Sequence, residues 1–149
     1  MEFIMNKIVI LGGISVVLGA VSAAFGGWST TMTMLVIFMG IDYLTGLIVA
    51  GVFKNSGKTE NGSLESRAGW KGIFRKGVTL LIVLVAAQLD KLMEFDFIRH
   101  AVVIAYITNE TISIIENAGL MGVPIPGVIR KAIDILNKEL EEGKTGDDS

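Results

Sequence analysis

Residues 31–53 read Thr-Met-Thr-Met-Leu-Val-Ile-Phe-Met-Gly-Ile-Asp-Tyr-Leu-Thr-Gly-Leu-Ile-Val-Ala-Gly-Val-Phe. This stretch decides the fold: 23 residues with one charged side chain, Asp42. As an α-helix it is about 34 Å long, enough to cross a hydrocarbon layer of about 30 Å with some tilt. Three further apolar runs flank it, at 8–25, 70–89 and 97–115. Within the third, residues 77–89 alone are too short to span. Extended back to Trp70 the run is long enough, with Lys71, Arg75 and Lys76 snorkelling to the headgroups and Trp70 and Phe74 in the interface. Hydrophobic residues make up 51% of the 149-residue chain, charged residues 19%, and the mean hydropathy is +0.60. The expected class is an all-α integral membrane protein, one domain of about four transmembrane helices plus a C-terminal cytoplasmic amphipathic helix.

Composition excludes much else. The chain has no cysteine, so no disulfide, thiol nucleophile or cysteine metal site. His100 is the single histidine, which rules out a paired-histidine metal site, and no cofactor is expected. A net charge of −2 gives no reason to expect nucleic-acid binding. No phosphate-binding loop, His-Glu-x-x-His or Gly-x-Ser-x-Gly is present, so an enzyme is not expected.

The distribution of cations sets the expected orientation. Lys7, Lys54, Lys58, Arg67, Lys71, Arg75, Lys76, Arg130, Lys131, Lys138 and Lys144 fall on one side of a four-span arrangement, and Lys91 and Arg99 on the other. The richer side is cytoplasmic, which puts both termini inside. Val21-Ser22-Ala23 resembles a signal-peptide cleavage site, and cleavage there leaves the other spans oriented as before. Residues 55–63 read as a flexible cytoplasmic loop. Pro124 and Pro126 break the chain after the fourth span. An amphipathic helix then covers about 126–141, lying on the inner leaflet or packing on neighbours, and residues 142–149 form a disordered acidic tail.

Polar residues inside the spans are the candidates for function. Asp42 at mid-span costs about 2.5–3.5 kcal/mol, while the span's eleven Leu, Ile, Val and Phe residues offset this with about −3 to −6 kcal/mol. The helix therefore inserts, and Asp42 demands a partner or a neutralising proton: either it makes a packing or pore-facing contact, or its protonated carboxyl bonds locally, for example to Thr45. Asp42, Gly46 and Ala50 share one stripe. In the fourth span Tyr106, Asn109, Glu110, Ser113, Glu116 and Asn117 recur at spacings of three and four, opposite Val103, Ile104, Ile107 and Ile114. That span is marginal alone and should face protein or water. In the first span Ser15, Gly19, Ala23 and Gly27 form a small-residue stripe suited to close helix contact.

Three of these stretches carry a family resemblance. Asp42-Tyr43-Leu44-Thr45-Gly46 resembles an Asp-x-x-x-Gly motif in a membrane span. Gly72-Ile73-Phe74-Arg75-Lys76 resembles Gly-x-x-Arg-Lys before the next span. The block running from Glu110 to Asn117, followed by Gly122-Val123-Pro124-Ile125-Pro126, is similar to Glu-x-Val/Ile-Ser-Ile-x-x-Asn followed by Gly-x-Pro-x-Pro. Together, over about residues 31–140, they resemble the toxin-secretion/phage-lysis holin family, which includes the holin of clostridial large-toxin loci. The resemblance implies a pore-forming homo-oligomer in the lipids of the bacterial cytoplasmic membrane, timing host cell lysis by releasing endolysin or a toxin. Endolysin is then a functional partner without required direct contact, and an antiholin a possible regulator. An antiholin itself, or a small channel or transporter subunit, shares the same features.

Overall fold

The computed structural model describes the backbone of residues 1–57 and 66–145, and side chains of those residues through Lys138. Its elements are α1 (Glu2–Ala24), α2 (Thr30–Ile48), α3 (Ser66–Met93), α4 (Ile98–Leu120) and α5 (Gly127–Thr145). A π-helical turn, Val49–Phe53, extends α2. Among the described residues there is no strand.

Local chemistry sets most boundaries. Ser29 caps α2 by accepting from the Met32 amide at 3.2 Å. The π turn ends at Lys54, whose φ of 48° is left-handed. α4 closes with Gly122 at φ +76°, which lets the Val123 amide reach back to the Ala118 carbonyl at 3.0 Å. Pro124 and Pro126 then separate α4 from α5, because neither can donate to a continuing helix.

The helices alternate in direction. Gln88 and Lys91, late in α3, donate to carbonyls of Ala24 and Ala23 at the end of α1, at 2.6 and 2.7 Å. Arg99, at the start of α4, donates to the carbonyls of Phe25 and Gly27. The α1–α2 and α3–α4 connections therefore share one end of the molecule. At the other end the Asn55 amide donates to the Leu120 carbonyl at 3.4 Å.

α2, α3 and α4 pack on one another, most extensively α2 on α4. Met32, Leu35, Met39, Val83 and Val103 form the buried apolar layer, with Phe25, Leu80, Val102, Tyr106 and Ile107 around it. On α2 the inward stripe runs Met32, Leu35, Met39, Asp42, so it becomes polar halfway along. α1 buries no residue.

The helices run beyond the apolar runs that mark them. α1 begins at Glu2 and α3 at Ser66, well before the apolar runs, since helical hydrogen bonding does not stop where hydropathy falls. α4 continues to Leu120, past the apolar run that ends at 115. By length and apolar composition α1, α2 with its extension, and α3 suffice to cross a membrane, in keeping with an all-α membrane protein. α4 falls short because Arg99, Glu110 and Glu116 lie within it. Val103 does not oppose the polar face: it lies on the same buried face as Glu110 and Asn117, seven and fourteen residues on. Residues 142–145, expected in the disordered tail, belong to α5, which reaches Thr145; residues 146–149, and 58–63 of the expected loop, lie outside the described residues.

Candidate functional site

The polar half of the α2–α3–α4 core is one connected cluster. Lys76 Nζ donates to Asp42 Oδ2 at 2.8 Å and to Glu110 Oε2 at 2.5 Å. The Lys76 side chain is 17% exposed and its partners about half that, so the ion pairs are largely shielded from solvent. Asn117 Nδ2 donates to Asp42 Oδ1 at 3.1 Å and to Thr45 Oγ1 at 2.9 Å. Thr45 Oγ1 in turn donates to the Asp42 carbonyl at 3.0 Å. Among the described residues no buried side-chain nitrogen or oxygen lacks a partner.

Helix geometry places these groups. Lys76 shares the inward face of α3 with Val83, Ala87 and Asp90, at steps of seven, four and three. Glu110 and Asn117 follow Val103 at steps of seven on α4. The helices are in ordinary van der Waals contact beside the cluster: a Cβ on Gly46 would sit 3.8 Å from Asn117 Nδ2, and one on Gly72 would sit 3.6 Å from the Tyr43 ring.

Lys76, expected to snorkel toward the headgroups, instead turns inward. Two buried carboxylates facing one ammonium outweigh the headgroup alternative, because an unpaired charge at that depth costs several kcal/mol. Trp70 and Arg75, the other expected anchors, stand exposed on α3. Asp42 meets its demand across helices, and Thr45 bonds its backbone carbonyl instead of its carboxylate.

The stripe expected on α4 divides. Glu110 and Asn117 are buried in the cluster, Ser113 is half-buried, and Asn109 and Glu116 are exposed. The exposed members line a cleft of about 770 Å³ between α3 and α4, opposite Lys71, Arg75 and Thr79, with Asp42, Lys76 and Glu110 also on its wall. Gly19 and Ala23 on α1 join no part of the cluster; nothing lies within 4 Å of a Cβ built on Gly19, and Ala23 contributes its carbonyl to Lys91.

A second set of polar contacts escaped the sequence reading. The Asp90 carboxylate accepts from the Ile98 and Arg99 amides, both at 2.9 Å, and so caps α4 from α3. Lys91 and Arg99, read only as orientation charges, bind the carbonyls that end α1. Their signal was present: cations at a helix C-terminus satisfy orphan carbonyls and complement the macrodipole.

The three stretches singled out by resemblance thus meet at one point, Asp42, Lys76 and Glu110 with Asn117. Residues 19–138 match the model of a bacteriophage holin family. The chain belongs to that family. The holin-family relatives include a protein of Bacillus phage phi105 named "Probable holin", 33% identical over 118 residues, covering 78% of this chain and 82% of the relative. An uncharacterized protein of Halalkalibacterium halodurans is 40% identical over 128 residues, covering 82% of this chain and 89% of the relative. One from Clostridium perfringens is 38% identical over 117 residues, covering 77% and 81%. No solved structure matches the chain. The holin family is non-enzymatic, and this chain is a holin-type membrane protein and not an enzyme.

Proposed function

We propose that the chain accumulates in the bacterial cytoplasmic membrane, associates with further copies, and opens lesions through which endolysin, or a toxin, leaves the cytoplasm. Both termini lie inside, and α4 crosses as a fourth span carried by its neighbours. The Lys and Arg asymmetry supports this orientation. The shared end of the α1–α2 and α3–α4 connections supports the alternation of the spans.

The observation that carries the reading is the bridging of Asp42 and Glu110 by Lys76 inside the α2–α3–α4 core. Polar groups at membrane depth are stable only against protein or water. In an isolated copy these side chains satisfy one another, and the copy is harmless. In a crowded patch the same groups exchange intrachain partners for interchain partners and water. Each bond lost is replaced, so closed and open arrangements differ little in free energy and concentration decides between them.

Expression of the chain alone in a bacterium, with and without endolysin, tests this. An abrupt loss of membrane potential after a fixed delay, with lysis only when endolysin is present, is the expected result. A chain that delays lysis by another holin is an antiholin, and one that neither depolarises the membrane nor delays lysis is a channel or transporter subunit; either outcome overturns the proposal.

A further inference from the structure

The α3–α4 cleft has rims of opposite character. Lys71 and Arg75 stand exposed on the α3 side, and Asn109 and Glu116 on the α4 side. Among the described residues none of α1 or α5 lines it. Ion pairs among the described residues are those of Lys76 with Asp42 and Glu110, so the rim charges are not engaged with one another.

The Lys76–Glu110 bond fixes the antiparallel register of α3 and α4. Five residues before Lys76 on α3 lies Lys71; five after Glu110 on α4 is position 115, beside Glu116. Lys71 and Glu116 therefore sit at one depth. A second copy related by a two-fold axis along the membrane normal presents its rims in reverse order at that same depth. Each Lys71 and Arg75 then faces Glu116 of the other copy, and Asn109, exposed where lipid tails offer no hydrogen bond, is covered by protein.

We infer that this cleft is the docking surface for a second copy of the chain, forming a closed two-fold pair in which Lys71 and Arg75 engage Glu116 across the interface. The inference deepens the reading given above by naming the accumulating species. An isologous pair uses up its surface and cannot grow. The pair is the storage form, and a lesion requires it to open.

The chain lacks cysteine, so cross-linking in membranes is clean. Full-length chains carrying Lys71→Cys and Glu116→Cys, tagged to different sizes, are co-expressed and oxidised. The expected product is a mixed dimer at least tenfold above that from Lys71→Cys with Val36→Cys, a position exposed on α2. In a separate comparison, chains with Thr79→Cys and Asn109→Cys report dimer through neighbouring rim positions. There Glu116→Lys should lower the dimer at least tenfold, and adding Lys71→Glu with Arg75→Glu should restore it. Mixed dimer no greater than the Val36→Cys control, or loss without rescue by charge exchange, overturns the inference. The latter would mean that the cations bind lipid phosphate. Because cross-linking is read before any lysis, this failure is distinguishable from failure of the holin reading.

Discussion

α1 and α2 are built from equally apolar sequence, yet α1 stands apart while α2 joins the α2–α3–α4 core. α1 buries no residue along its length and is held at its last turn, where Gln88 and Lys91 bind its carbonyls and Arg99 binds those just after it. The core buries Met32, Leu35, Val83 and Val103 in one layer and Asp42, Glu110 and Asn117 in the next. In lipid, apolar side chains gain little by meeting each other, since hydrocarbon tails serve as well. What separates the two regions is polar content: Asp42, Lys76 and Glu110 must meet, and the apolar layer closes around the helices that carry them. α1 has no such group inside its span, so its attachment lies at its end.

The sharpest way to break this contrast is Lys76→Met. It leaves two buried carboxylates without their shared cation, and removing one partner of a buried pair costs about 3–5 kcal/mol. In detergent micelles the helical melting midpoint should drop more than for Glu110→Leu, Asn117→Ala or Gly19→Leu. Adding Asp42→Asn and Glu110→Gln should recover most of the loss. An unchanged midpoint for Lys76→Met would mean that the cluster does not organise the core.

Glu110→Leu acts next. Replacing the carboxylate favours α4 in lipid by about 3 kcal/mol on the insertion scale and leaves Lys76 paired one to one with Asp42. The variant should accumulate at least as well as the parent and lyse late or not at all, measured at matched membrane levels. Normal lysis would remove α4's polar face from the lesion.

Asn117→Ala removes the donor to Asp42 and Thr45 and should cost about 1 kcal/mol, typical of interhelical hydrogen bonds in membranes. The melting midpoint should fall measurably, but less than for Lys76→Met. Gly19→Leu, by contrast, adds a side chain where nothing lies within 4 Å and should change stability by under about 0.5 kcal/mol. A large loss there would show that α1 is packed in the folded chain, and the contrast between the regions would fail.

The sequence carries the helices more clearly than their partnerships. Runs of Leu, Ile and Val mark α1, α2 and α3 because backbone bonds in lipid have to be satisfied within each segment. Asp42, Glu110 and Asn117 stand out because charge and amide groups are costly there. Lys76 misled, since its place at the edge of an apolar run fits snorkelling as well as pairing. Its seven-residue step to Val83 on the inward face was the clue, and it has meaning only once Asp42 and Glu110 are seen to need a cation. The division of the α4 stripe into buried Glu110 and Asn117 and exposed Asn109 and Glu116 was not legible. Spacings of three and four group residues onto a broad face without saying which edge a neighbour covers.

The account stands on the claim that the core must open before a lesion forms. Gly46→Cys with Asn117→Cys places two thiols at a close α2–α4 contact in a chain with no other cysteine. A short reagent joining them through a reducible link pins the two helices together. The protein is reconstituted into vesicles loaded with an endolysin-sized fluorescent dextran. The account predicts that bridged protein retains the dextran and that reductant releases it within minutes. Equal release from bridged and reduced protein would contradict the claim.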